Sequence, residues 1–151
     1  MLSNAIGIDV GGTGIKAAIV DIRTGELLSE RLRVETPAGG EPNDIAAACN
    51  GLIEQLAAPS NLTVGLCFPA VVTHGITRSA ANVSDAWIGL KAEKLFTKAL
   101  GRKTHVLNDA DAAGVAEMKF GAGRKAKGVT IMTTLGTGIG SALFLNKKLV
   151  P

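Results

Sequence analysis

Two stretches of the chain gather residues able to act on a charged ligand. The first is DVGGTGIK, where Asp9 stands at the lip of an apolar run and Gly11, Gly12, Thr13 and Lys16 follow. Glycines packed this closely let a backbone approach a partner, and their successive N–H groups can form an anion-binding nest. Thr13 adds a hydroxyl and Lys16 a point charge. Asp9, at a strand end, can hold Mg2+ through its waters. The plain alternative is a glycine-turned hairpin with an exposed aspartate and lysine. The spacing is neither that of a P-loop nor that of the GxGxxG dinucleotide fingerprint.

The second stretch, VLNDADAAG, contains Asn108, Asp109 and Asp111. An Asn or Asp here is explained by helix capping, worth ~1 kcal/mol, but capping needs one such residue rather than NDAD. Asp109 and Asp111 do not make a dyad, because positions two apart on a helix do not face each other. One aspartate aimed into a cleft, with Asn108 beside it, suits a general base and its hydroxyl-orienting partner. A later cluster, TTLGTGIGSA, repeats the design of the first, with Gly136, Thr137 and Gly138 between apolar runs. Alone it reads as a hairpin turn. Paired with the first cluster it suggests two clamps, each gripping part of a polyphosphate chain. Backbone donors, a metal and one carboxylate are the parts phosphoryl transfer needs.

The elements that must position these residues follow from periodicity. Residues 5–10 and 15–21 read as strands joined by GGTG, and LLSERLRVE (27–35) as a third, giving a β-meander. A helix follows, with Pro42 and Asn43 or Asp44 as start signal and Pro59 as stop. Its inner face is Ile45, Cys49, Leu52, Ile53 and Leu56. LTVGLCF (62–68) reads as a buried strand, and 69–89 as a loop region. Residues 90–100 read as a helix with Ala92, Leu95, Phe96, Ala99 and Leu100 inward and Gly101 as stop. THVL (104–107) is a brief strand. NDADAAGVAEMKFGAG is a helix ending on Gly121 or Gly123, and 128–145 gives two apolar strands around GTG. This order predicts a mixed α/β domain over 1–126 and the opening of a second unit over 127–151. Two apolar strands cannot bury both faces, so the sequence suggests a truncated piece or a partner for 128–145.

Composition narrows the function classes. Apolar residues are 46% and charged residues 19% of 151, enough for a packed core. A net charge of +3 and 3% aromatics argue against a nucleic-acid binder. No run spans a membrane and no signal peptide opens the chain. Cys49 and Cys67 form no CxxC and read as reduced thiols of a cytoplasmic protein. His74 and His105 read as structural, and Trp87 as a core anchor or the border of a sugar site. Lys91, Lys94, Lys98 and Arg102 form a stripe, either a solvated face or a track for a polyanion. Under the second reading, Lys94→Glu with Lys98→Glu in a full-length context weakens polyphosphate use more than ATP use.

IGIDVGGTGIKAAIVD, LNDADAAGVAEMKFGAG and TTLGTGIGSA, in this order, resemble the sugar kinases of the ROK family (repressors, open reading frames, kinases). GLCFPAVVTHGITRSAANVSDAWIG is similar to the polyphosphate/ATP-dependent glucokinases among them. The resemblance implies an actin/Hsp70/hexokinase-like (ribonuclease H-like) N-terminal lobe with a mixed sheet, plus the first hairpin of a second lobe. It implies that Asp9 organises Mg2+, that residues 11–13 and the GTG at 136–138 face phosphates, and that Asp109 deprotonates the sugar 6-hydroxyl. Asn108 and Asn82 would be sugar ligands. The implied function is transfer of a phosphoryl group from polyphosphate and/or ATP to glucose, with weak or no activity for a chain lacking the rest of the cleft. The rival is a non-catalytic sugar- or phosphate-binding half-protein that self-assembles through 128–145. A ROK repressor is disfavoured, because the first strand begins at about residue 5 with no DNA-binding helix-turn-helix before it.

Overall fold

The computed structural model describes residues 3–135 and 138–150, and its contacts divide the chain into two compact units, Met1–Leu107 and Asn108–Pro151. In the first, β1 (Asn4–Val10) and β2 (Gly14–Asp21) pair antiparallel, with Asp9 opposite Lys16 and Val10 opposite Ile15. β3 (Leu32–Glu35) extends this meander on β2, placing Arg33 opposite Lys16. The chain then crosses over through α1 (Pro42–Gln55) to β4 (Val64–Phe68), which lies parallel to β1. A two-residue hairpin, β5 (Val72–Thr73) and β6 (Ile76–Thr77), leads to α2 (Ala92–Leu100) and β7 (Thr104–Asn108). The sheet order is β3-β2-β1-β4-β7.

Alternation in β1 sends Ile6, Ile8 and Val10 into the core and leaves Gly7 and Asp9 on the opposite face. Ile45, Cys49, Leu52 and Ile53 of α1 and Phe96 and Leu100 of α2 complete that core. Its aromatic centre is Trp87, whose ring centroid lies 4.2 Å from Phe68 and 5.6 Å from Phe96.

The second unit packs α3 (Asp109–Lys119) on a three-stranded sheet of order β10-β9-β8, formed by β8 (Val129–Leu135), β9 (Ile139–Leu145) and β10 (Lys148–Val150). Met118 of α3 meets Ala142 and Phe144. The helix sits this close because residue 114 is glycine: a Cβ there would lie 2.7 Å from the Phe144 ring. The other face of this sheet is apolar and open, with Leu135 82% and Ile139 80% exposed.

Several local expectations are corrected. Only Leu32–Glu35 of 27–35 forms a ladder, Leu27 making a single bridge to Val20. Pro42 opens α1 behind Glu41, which makes no side-chain cap bond, so neither Asn43 nor Asp44 caps it. β4 is buried on one face, with Gly65 exposed on the other. Ala99 points to solvent, since Ala92, Phe96 and Leu100 already fill the inward stripe. α3 ends at Lys119 on a right-handed Phe120 cap, before Gly121, so no left-handed glycine stops it. β10 was not expected; Asn146 and Lys147 take the positive φ values, 49° and 67°, that turn the chain back.

Candidate functional site

The glycine turn closes β1 onto β2 through the Gly11 N–H, which donates to the Gly14 carbonyl at 3.0 Å. That donor is committed to the turn itself. None of Gly11, Gly12 and Gly14 has a positive φ; their role is proximity. A Cβ on Gly12 would lie 2.8 Å from the Asn82 Cβ, and one on Gly14 would lie 2.7 Å from the Arg33 guanidinium. Behind the turn, Lys16 Nζ donates to Asp9 Oδ2 at 3.1 Å, with side chains 39% and 50% exposed. Such a pair contributes little to stability, but it holds a carboxylate and an ammonium side by side at the strand end.

Two further loops knit onto the turn. Thr36 Oγ1 donates to the Gly11 carbonyl at 2.5 Å. Gly40, with φ 60°, sits where a Cβ would lie 2.9 Å from the Val83 backbone. Trp87 Nε1 donates to the Gly40 carbonyl at 2.8 Å. Asn82 holds φ 60°, a left-handed conformation that asparagine tolerates better than most residues. Gly12, Thr36, Gly40 and Asn82 thereby line one hollow of about 300 Å³. The structure brings Asn82 and Gly12 together, a contact between motifs 70 residues apart that neither motif announces.

In the second unit the capping question is resolved by atoms. Asn108 Oδ1 accepts from the N–H groups of Ala110 and Asp111 at 3.0 and 3.2 Å. Asn108 is therefore the cap of α3 and Asp109 its first helical residue, exposed, with Oδ1 2.8 Å from the Ala110 nitrogen. Burial, and then the charge of Asp109, hold the Asp111 carboxyl above its usual range. Of the second glycine cluster, Gly136 and Thr137 lie outside the described residues; Gly138 is exposed with open space where a Cβ would be.

The remaining candidates separate cleanly. Trp87 is fully buried in the core. His105 faces Glu93 at 3.6 Å, and His74 holds the β5–β6 turn at φ 51°. Arg102 donates to the carbonyls of Ala58 and Pro59, which removes it from the lysine stripe. Cys49 is buried, which pushes its thiol up to about 12. Sequence reasoning missed Arg33 and Thr36. Their side chains act on the turn from β3 and from the loop after it, and only the strand register reveals that proximity.

Among the described residues no cluster of three His, Cys, Asp or Glu is arranged to hold a metal. Mg2+ commonly takes one or two carboxylates, waters and substrate phosphates. The half-exposed Asp9 fits that mode. No described helix is long and apolar enough to cross a membrane.

The mixed sheet with its glycine-turned first hairpin is the actin/hexokinase-like fold, and solved sugar kinases are among the structures similar to this one. The chain belongs to the ROK family, whose model matches residues 5–151. It is 43% identical over 149 residues to the polyphosphate glucokinase of Mycobacterium tuberculosis, covering 98% of this chain and 56% of the relative. The inorganic polyphosphate/ATP-glucomannokinase from Arthrobacter sp. strain KM superposes with a TM-score of 0.94 at 46% identity, over 99% of this chain and 61% of that one. A ROK family glucokinase from Streptomyces griseus, in complex with glucose and AMPPNP, superposes with a TM-score of 0.79 at 29% identity, over 97% of this chain and 46% of that one. The chain spans about half the length of the curated relatives it matches.

Proposed function

We propose that the chain carries the N-terminal lobe (1–126) and the start of the second lobe (127–151) of a cytoplasmic glucokinase that uses polyphosphate and/or ATP. The observation that carries this reading is the division of labour at the start of α3. Asn108 accepts from both capped N–H groups of α3, whereas Asp109 shares only that of Ala110, through Oδ1, and is otherwise an exposed carboxylate at the helix start. A carboxylate so placed accepts the proton of the glucose 6-hydroxyl as the oxygen attacks the terminal phosphoryl group. Asn108 and Asn82 orient sugar hydroxyls. The glycine turn, Thr13, Lys16 and the 136–138 loop receive the phosphates. Asp9 would hold Mg2+ through water, and the ion would supply neutralising charge at the phosphates.

The test is glucose 6-phosphate formation by the purified chain with either donor, beside saturable glucose binding by calorimetry. We expect binding, and turnover that is weak, because the chain spans about half the relatives' length. Asp109→Asn abolishes the turnover and keeps the binding. Robust turnover that survives Asp109→Asn overturns the assignment of the base. Absence of both turnover and glucose binding overturns the reading.

A second reading is favoured by the open face of the β8–β9–β10 sheet. Val129, Ile131, Leu135, Ile139, Leu143 and Leu145 are all exposed there, an apolar patch of the kind that marks an interaction surface. In this reading the chain self-assembles through 128–145. Its mass by light scattering then rises with concentration, and a monomer at every concentration rejects it.

A further inference from the structure

We propose that Arg33 and Arg31, flanking Lys16 in a row on the same face, receive the phosphates of a polyphosphate donor beyond those held at the glycine turn and Lys16, and so set donor preference. The proposal rests on the kinase reading above.

The row follows from register. Asp9, Lys16 and Arg33 are direct cross-strand partners on β1, β2 and β3. They occupy one face of the sheet, ~10 Å from end to end at the usual strand spacing. The row begins at the glycine turn. Arg33 Nη2 donates to the Thr13 carbonyl at 3.1 Å, and its guanidinium fills the space that a side chain at residue 14 would need. Arg31 lines a shallow hollow of about 260 Å³ on the same face, together with Asp9 and Lys16.

Charge balance along the row is uneven. Lys16 is neutralised by Asp9. Arg33 meets a neutral carbonyl, and neither it nor Arg31 has an ion pair among the described residues. Glu35 shares the β3 face but lies within ion-pair distance of neither cation. Two guanidinium groups without an ion pair thus stand on this face, Arg33 against the glycine turn and Arg31 at the hollow beside Asp9 and Lys16. Guanidinium is the side-chain cation best matched to phosphate oxygens. A donor of three phosphates is used up near the turn. A long chain continues across the row, where each further contact adds as an intramolecular one.

The lysine stripe of α2 is the competing surface. Lys91, Lys94 and Lys98 are exposed, but Arg102 is consumed by backbone carbonyls. No hydrogen bond of the described residues ties the stripe to the glycine turn, whereas Arg33 touches that turn directly.

The experiment is titration of the 151-residue chain with long-chain polyphosphate, tripolyphosphate and ATP at several salt concentrations. Arg33→Gln keeps a donor for the Thr13 carbonyl and removes the charge, and an unchanged thermal midpoint shows that the fold is kept. We expect Arg33→Gln to weaken long-chain binding about tenfold and to lower its salt slope by about 1. Tripolyphosphate and ATP are weakened less than the long chain, because the turn and Lys16 take most of their phosphates and only the long chain continues across Arg33 and Arg31. Arg33→Lys retains most of the long-chain affinity, and the Lys94→Glu/Lys98→Glu double variant is unaffected. The proposal is overturned if Arg33→Gln binds the long chain like wild type, if the double variant is the weakened one, or if wild type shows no polyphosphate binding at low salt. The kinase reading has its own readout: ATP-dependent glucose phosphorylation lost in Asp109→Asn stands whichever way the polyphosphate titration falls.

Discussion

Trp87 donates its indole N–H to the Gly40 carbonyl at 2.8 Å, and this bond fastens the loop that carries Asn82 to the loop that follows β3. The tryptophan itself is fully buried against Phe68 and Phe96. The geometry of the hollow beside Gly12 is therefore held from inside the core.

Replacing Trp87 by Phe keeps most of the packing and leaves the Gly40 carbonyl with only the longer bond from the Ser84 N–H, at 3.4 Å. We expect a loss of ~1–2 kcal/mol in urea unfolding, against ~3–5 kcal/mol for Trp87→Ala. If Trp87→Phe unfolds at the wild-type midpoint, the bond does not hold the loops.

Asn108 and Asp109 should separate stability from chemistry. Asn108→Ala removes the cap of α3, which accepts from two N–H groups, and costs ~1 kcal/mol. Asp109→Asn costs under ~1 kcal/mol, the value of an acidic group at a helix start. Under the kinase reading it lowers turnover by ~10²–10⁴. Equal stability losses in the two variants would mean that Asp109 shares the capping equally.

Asp111 makes stability fall as pH rises. Its carboxyl is held above the ordinary aspartate value by burial and then by the charge of Asp109. In the window above that value the native state therefore binds more protons than the unfolded chain, and stability is lost as pH rises through it. Asp111→Asn should stabilise the protein at pH 7 and have no effect below the ordinary carboxylate range. The helix dipole, which favours an anion in the first turn by ~0.3–1 kcal/mol, limits the gain. Thermal midpoints of the two proteins at pH 3 and pH 7 check the sign.

The two cysteines should differ in reactivity. Cys49 is fully buried with its thiol pushed up to about 12, whereas Cys67 is half-buried. Thiolate is the reactive form. An alkylating reagent at pH 8 should label Cys67 and leave Cys49 untouched until the chain is unfolded. Labelling of Cys49 at the rate of Cys67 in the native protein would show that the α1 side of the core opens readily.

Much of the first unit was legible because its signals are local. Alternation marked β1, and the inward spacing of Ile45, Cys49, Leu52 and Ile53 marked α1. What was missed depends on partners distant in sequence. β4 carries an unbroken apolar run, yet only one of its faces is covered, since α1 and α2 lie on the same side of the sheet. β10 is three residues long and becomes a strand by pairing with β9.

For the candidate site, residue types and their order along the chain determined which chemistry was in prospect: glycines, Asp9, Lys16 and the NDAD run sit at strand ends by local propensity alone. The tertiary structure decided what each of them touches. Cross-strand register put Arg33 beside Lys16 and over Gly14. Loop packing brought Asn82 against Gly12, and Trp87 tied the same loop to Gly40. Both contacts depend on how strands and loops far apart in sequence are aligned, and local sequence preference carries no information about that alignment.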